Sequence, residues 1–246
     1  IVLEAGDYLR LHLHDDLMVS KKTGPTDLVT QMDQQVQKDL VEKITNRYPE
    51  DWIFAEEDGL RSPISEGSVW VIDPIDGTNN FVTQKEDFAV MVAYFEDGIG
   101  QFGLIYDVMR DYLFYGGGEF PVYRNEVELT PFVDQPLENF LISSNVGMLE
   151  KNDWGMADLG MDSLGIRVYG SAGISFSKIL SGGILAYFSY IWPWDYAAAA
   201  IMGERLGYTV LNLNGDQPNY QTVEPIMMVP KMKLTEIQTY LKKGRS

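Results

Sequence analysis

Asp73-Pro74-Ile75-Asp76-Gly77-Thr78 places two carboxylates three residues apart, around a proline and directly before a glycine. Hard oxygen donors at that spacing suit a divalent cation, and the amides of the turn that follows suit an anion, so one corner could grip a metal and a phosphate together. Magnesium keeps several of its waters and is usually held by one or two carboxylates plus the substrate's own phosphate, so a few acids at strand ends are enough. A second acidic corner follows where the apolar run 52–55 stops at Glu56-Glu57-Asp58-Gly59. A third acid, Asp195, comes after Ile191-Trp192-Pro193-Trp194 and opens the alanine-rich run 197–200. Each signal alone is ordinary: an acid at a helix start caps it, and Asp-Gly or Glu-Glu-Asp-Gly is a solvated turn. In combination, Glu56 and Asp73 would share one ion while Asp73, Asp76 and Asp195 hold a second, a paired clamp on the attacking and leaving oxygens of an in-line displacement.

The elements that must position these acids follow from periodicity. Residues 69–72 read as a buried strand, and Pro74 pushes Asp73 out of helical geometry, so the chain is expected to turn there, with Thr78 or Asn79 capping a following helix. Val2, Gly6, Leu9, Leu13 and Leu17 recur at helical spacing, as do Met32, Val36, Leu40 and Ile44 before Tyr48-Pro49. Between these helices lies a loop, 21–26, then a short extended segment, 27–30, and Thr30-x-x-Asp33 has the form of a helix-start cap. From Phe88 to Tyr115, apolar runs separated at Asp97-Gly98 and at 108–111 predict an antiparallel sheet, which the flexible turn Gly116-Gly117-Gly118 ends. Beyond residue 139, strands at 140–143, 166–169, 185–189, 208–213 and 226–229 alternate with helices at 171–180, 195–206 and 234–243, a layered α/β pattern. Two closely packed parts are expected. Residues 1–138 form an α+β part with the antiparallel sheet and the metal/phosphate motif, and residues 139–246 an α/β part that supplies Asp195.

Composition narrows the function. Nineteen basic against 36 acidic residues give a formal charge of −17, which repels nucleic acid and anionic membrane, and a phosphorylated substrate would need bound cations. With 45% hydrophobic residues in 246 the chain can fill a real core, and no apolar run approaches the roughly 20 residues of a membrane helix. The absence of cysteine removes disulfides, thiolate metal sites and a cysteine nucleophile, and is compatible with a cytoplasmic location. The chain opens on Ile1 rather than methionine, leaving room for a few preceding residues or a short leader. His12 and His14, two apart on a helix, point to different faces and cannot jointly hold an ion. No serine sits in a G-x-S-x-G elbow, and the glycine triplet lacks the lysine and hydroxyl of a nucleotide-binding loop.

At these residues the sequence resembles the inositol monophosphatase family of magnesium-dependent, lithium-sensitive phosphatases. The resemblance rests on Asp73 to Thr78 followed by Asn80-Phe81, and on four further segments in order. These are Lys22 with Asp27-Leu-Val-Thr-x-x-Asp33, the Glu56-Glu57 pair, Gly170-Ser171-Ala172, and Trp194-Asp195 with its alanine-rich helix. It implies a five-layer αβαβα sandwich of the inositol monophosphatase and fructose-1,6-bisphosphatase type, commonly a homodimer. By the same resemblance Glu56, Asp73, the Ile75 carbonyl, Asp76 and Asp195 would ligate two to three Mg2+ ions. Thr78 and Asp33, with Glu56, would orient and activate the attacking water. Asp76 and the amides of Gly77 and Thr78 would bind the phosphate, Lys22 would sit near the water shell of the third metal, and Ala172 would lie beside the substrate, a small phosphorylated metabolite.

One departure bears on that substrate. Many relatives place an acid after an aromatic pair that contacts substrate hydroxyls; here the segment reads Ala186-Tyr187-Phe188-Ser189-Tyr190-Ile191, without it. A neutral hydroxyl grips a polyol more weakly than a carboxylate does. Phe188, Tyr190, Trp192 and Trp194 could instead offer faces to a base, suiting the 2′-phosphate of NADP or a 3′-phosphoadenosine compound, or could be core packing. Fructose 1,6-bisphosphate is a further alternative, and a non-catalytic metal- or phosphate-binding regulator is the alternative of a different class. Direct attack by metal-activated water is expected rather than a phosphoaspartate, since ligated carboxylates are poor nucleophiles.

Overall fold

The computed structural model describes residues 1–16, 18–21 and 28–243. Helices α1 (Val2–Leu11) and α2 (Gln31–Arg47) bury Val2, Gly6, Leu9, Met32, Val36, Leu40 and Ile44 of the expected repeats; α1 ends before Leu13, which is buried in the turn that follows, and Leu17 lies outside the described residues. Strands β1 (Val19–Lys21) and β2 (Leu28–Thr30) form a short antiparallel pair that leads into α2. The start of α2 is a capping box: Thr30 Oγ1 accepts the Met32 amide at 3.0 Å, and Asp33 Oδ2 accepts the Thr30 amide at 2.7 Å.

A seven-stranded sheet follows, built from β3 (Trp52–Ala55), β4 (Ser68–Asp76), β5 (Ala89–Glu96), β6 (Ile99–Asp107), β7 (Tyr112–Gly117), β8 (Phe120–Arg124) and β9 (Val127–Glu128) in sequence order. Only the β3–β4 pair is parallel. The six-residue helix α3 (Thr78–Thr83) sits between β4 and β5. The remainder forms a five-stranded mixed sheet. Its strands are β10 (Leu141–Ser144), β11 (Gly165–Arg167), β12 (Ala186–Ile191), β13 (Tyr208–Asn212) and β14 (Glu224–Pro230), in spatial order β11-β10-β12-β14-β13. Its helices are α4 (Val146–Glu150), α5 (Met156–Asp162), α6 (Ala172–Leu180), α7 (Pro193–Arg205) and α8 (Leu234–Lys243).

Three apolar cores stack these elements into five layers. One joins α1 and α2 to the outer face of the larger sheet, through Val36, Leu40, Ile72, Phe81 and Tyr106. A central core lies between the sheets, where Ile174, Phe176, Ala197 and Ala198 of α6 and α7 meet Met91, Ile105 and Met228. The third joins the smaller sheet to α4, α5 and α8, through Met148, Leu159, Phe188, Met227 and Ile237. This is the expected αβαβα sandwich. No helix among the described residues is long and apolar enough to cross a membrane.

Two local expectations need correction. The chain does not turn at Asp73: β4 continues to Asp76, and the reversal comes at Gly77, whose φ is 87°. The register against β5 slips by one residue, with Asp73 opposite Met91 and Asp76 opposite Ala89. Side chains three apart on a regular strand face opposite ways; this bulge turns both acids toward the layer between the sheets and sends Ile75 to the outer core. The glycine triplet is not a flexible turn either. Gly116 and Gly117 end β7 at positive φ, and a Cβ on Gly117 would lie 2.7 Å from the Ile201 carbonyl, so close packing of α7 against the sheet requires glycine there.

Candidate active site

The acids converge from the larger sheet and from the helical layer between the sheets. Asp73, Asp76 and Asp195 each offer an oxygen within 4.8 Å of the others; the first two are buried and Asp195 is partly exposed. Asp73 Oδ1 accepts the Ile75 amide at 3.1 Å, which fixes its rotamer at the bulge. Asp195 belongs to the first turn of α7, where Pro193 starts the helix, and its Oδ2 accepts the Trp192 amide at 2.7 Å. Asp76 reaches across to the start of α6. It accepts the Ser171 hydroxyl, the Ala172 amide at 3.1 Å and the Gly173 amide at 2.7 Å.

Glu56 follows directly on β3, and its amide donates to Ile72 O at 3.2 Å. It acts electrostatically on both Asp73 and Asp195. Burial, then Glu56, Asp76 and Asp195, push the Asp73 carboxyl well above the usual range. Asp195 is pushed up by burial, then by Asp76 and Glu56, against the opposing Trp192 amide. Burial also raises Asp76, but its three donors from α6 pull the other way. Like charges packed in a buried oxygen-only corner are unstable unless protons or a hard cation neutralise them, and the donor set fits magnesium or a similar divalent ion.

Beside the cluster, Thr78 is the first residue of α3 rather than its cap; the cap position is Gly77, with no side-chain bond. The Thr78 hydroxyl instead lies 3.0 Å from both Asp33 Oδ1 and Ile75 O. Its single proton can go to either. Asp33 is fully buried, its Oδ2 taken by the Thr30 amide and hydroxyl, each at 2.7 Å. A Cβ on Gly77 would lie 2.9 Å from Ser171 Cβ, so glycine is needed both for the left-handed turn and for the approach of α6.

The structure therefore assembles Asp33, Glu56, Asp73, Ile75, Asp76, Gly77, Thr78, Ala172 and Asp195 in one neighbourhood. Lys22 lies outside the described residues. His12 binds Asp15 at 2.6 Å, at the end of α1. Three contributors had no role assigned from sequence. Ser171 caps α6 and holds Asp76, and a serine before an apolar helical run is its signal. Gln37, buried one turn after Asp33, clamps Glu57 through both backbone groups, at 2.7 Å and 2.8 Å; a glutamine between Val36 and Leu40 was the available sign. The Tyr187 hydroxyl meets Ser189, with Asp76 and Asp195 nearby, and burial pushes it above the usual phenol range. Nothing local marks Tyr187.

A five-layer sandwich that joins carboxylates of β4 to one from α7 has the architecture of a metal-dependent phosphoric monoester hydrolase, and the comparisons with known proteins agree. The chain belongs to the inositol monophosphatase family, whose model matches residues 1–243. It is 35% identical over 221 residues to an inositol-1-monophosphatase of Bacillus subtilis strain 168, an alignment covering 87% of this chain and 83% of that one. A crystal structure of staphylococcal IMPase-II superposes with TM-score 0.88 at 30% identity, covering 98% of this chain and 90% of that one. An IMPase/NADP phosphatase complexed with Mg2+ and phosphate gives TM-score 0.88 at 26% identity, covering 97% and 91%.

Proposed function

We propose that this chain hydrolyses a small phosphate monoester with Mg2+ held by Glu56, Asp73, Asp76, Asp195 and the Ile75 carbonyl. The observation that carries the reading is the convergence of Asp73, Asp76 and Asp195 oxygens within 4.8 Å, from β4 and α7, in a largely buried corner that suits a divalent cation. The relative solved with Mg2+ and phosphate supports that choice of ion. Two to three bound magnesium ions would lower the pKa of a water and offset charge on the phosphoryl oxygens. The protein's own groups do the rest. Thr78 Oγ1 orients the attacking water and passes a proton toward Asp33 Oδ1, which its bonds from Thr30 keep fixed. The water oxygen bonds to phosphorus as the ester P–O bond breaks, and the leaving alcohol takes a proton from solvent. The Gly77 and Thr78 amides would face the phosphate, and Ala172 would border the substrate. Asp76 is ligand rather than nucleophile, since hydrogen bonds from α6 occupy its oxygens.

A second reading, phosphate removal from a nucleotide such as NADP, is favoured by Ser189 standing where many relatives have an acid. Lithium inhibition and a homodimer are expected from the family. The test is phosphate release from inositol 1-phosphate, NADP, fructose 1,6-bisphosphate and glycerol 2-phosphate, with and without magnesium. Turnover that needs the metal and disappears in Asp76→Asn supports the proposal; metal and phosphate binding without turnover of any ester would make the chain a non-catalytic binder.

A further inference from the structure

Phe188, Tyr190, Trp192 and Trp194 precede Asp195 in the chain, and the structure separates them. Trp194 is buried in the central core. Phe188 is buried on the far face of β12, in the outer core, and by strand alternation Tyr190 shares that face, away from the acids. Trp192 differs from all three: its amide bonds Asp195 Oδ2, its ring lies parallel to Trp194 at 4.8 Å and 9°, and 37% of its surface is exposed.

The support behind Trp192 is rigid. Trp194 packs against Phe54 at 5.6 Å and under the Arg61 guanidinium at 4.5 Å. Arg61 in turn donates to the carbonyls of Ala55, Leu60 at 3.0 Å and Glu56 at 3.1 Å. The stack is thereby fastened both to the turn that carries Glu56 and to the helix start that carries Asp195. Those are the two acids of the cluster that remain partly exposed, so the stack stands beside the acids that solvent reaches. A large ring already fixed in place loses little freedom on binding, which favours it as a stacking platform. Ser189 is buried and neutral, so little on this side competes for polyol hydroxyls.

Resting on the phosphatase reading above, we infer that Trp192 is a specificity-determining residue that stacks the planar ring of the leaving alcohol. The preferred substrate class is a nucleoside monophosphate rather than a bare polyol phosphate. With a formal charge of −17 on the chain, a single phosphate is better tolerated than a polyphosphate.

The test compares kcat/KM for adenosine 2′-monophosphate with that for glycerol 2-phosphate, using the full chain with magnesium, in the parent, Trp192→Leu and Trp192→Phe. The nucleotide-to-glycerol ratio falls about tenfold in Trp192→Leu, mainly through KM, and Trp192→Phe retains most of it. A merely structural role, loosening Asp195, lowers both substrates together; an unchanged ratio overturns the inference. So does a parent enzyme that hydrolyses glycerol 2-phosphate but not the nucleotide, and that outcome leaves the phosphatase reading intact. If neither of these esters is hydrolysed, nor inositol 1-phosphate, NADP or fructose 1,6-bisphosphate, the phosphatase reading fails. Equilibrium dialysis of adenosine 2′-monophosphate then decides the platform: about tenfold weaker binding by Trp192→Leu sustains it, and equal binding sinks it.

Discussion

The two sides of the site are built differently. On the larger sheet, Glu56, Asp73, Asp76 and Thr78 come from neighbouring chain ends of parallel strands β3 and β4, and most of the negative charge arrives with them. The layer between the sheets contributes one carboxylate, Asp195, but also the donors that discipline the others: Ser171, Ala172 and Gly173 on Asp76, and the Trp192 amide on Asp195. One side concentrates charge and the other restrains it. Asp76 is the hinge of that division, a side chain of one sheet satisfied by a helix that packs against both. Asp73 has the Ile75 amide and faces Asp195, so the Asp73–Asp195 pair depends most on a cation.

The strongest way to break the division is to remove charge while keeping shape. Asp195→Asn keeps an acceptor for the Trp192 amide, yet phosphate release should fall at least about 10³-fold, and stabilisation by magnesium against heat should disappear. Metal-free Asp195→Asn should be as stable as the parent or more so, because one of several crowded carboxylates has gone. A metal-free variant that unfolds well below the parent would show that Asp195 is structural. Thr78→Ala should come next, lowering kcat about 10²-fold while leaving the magnesium concentration for half-maximal rate nearly unchanged. A matching loss of metal affinity would place Thr78 among the ligands and not beside the water.

Ser171→Ala probes the restraining side. It removes the helix cap and one of three donors on Asp76, so denaturant unfolding should show a loss of about 1–3 kcal/mol. Activity should fall less than in Asp195→Asn, since the Ala172 and Gly173 amides remain. If Ser171→Ala costs activity as heavily as Asp195→Asn, the hydroxyl acts on substrate rather than through Asp76.

This asymmetry also explains what was legible in the sequence. The Thr30–Asp33 cap and most of the helical and strand periodicities are local and resolved into the expected elements, whereas the turn expected at Asp73 came at Gly77 and α1 ended before Leu13. The direction of Asp73 and Asp76 was not readable, because it depends on a one-residue bulge against β5 that proline at position 74 permits without specifying. Thr78 was expected among possible caps and instead bonds Asp33, 45 residues away, which no local rule anticipates. Gln37, Ser171 and Tyr187 act through partners distant in the chain, Glu57, Asp76 and Ser189 with its surroundings. The stacking of Trp192 on Trp194 followed from spacing no better than burial of both would have.

The smallest expected effect follows from the sign of the carboxyl shifts. Asp73 and Asp195 titrate well above 3.8 in the metal-free fold, burial first and neighbouring carboxylates second, whereas in the unfolded chain they return to the ordinary range. The folded state thus holds more protons. The stability this contributes is fully present below the unfolded value and is lost as pH rises through the raised ones. Magnesium competes with those protons, so its stabilising effect should be near zero in acid and grow toward neutral pH. At this chain length each kcal/mol gained shows as about 2–4 °C in Tm. The difference in Tm between saturating magnesium and chelator, followed from about pH 5 to about pH 8, measures it. Asp195→Asn should flatten that rise, while Ser171→Ala should lower both curves and keep the slope. A parent difference independent of pH would mean that the ion binds away from the buried pair, and that the two sides of the site do not divide charge and restraint as their hydrogen bonds indicate.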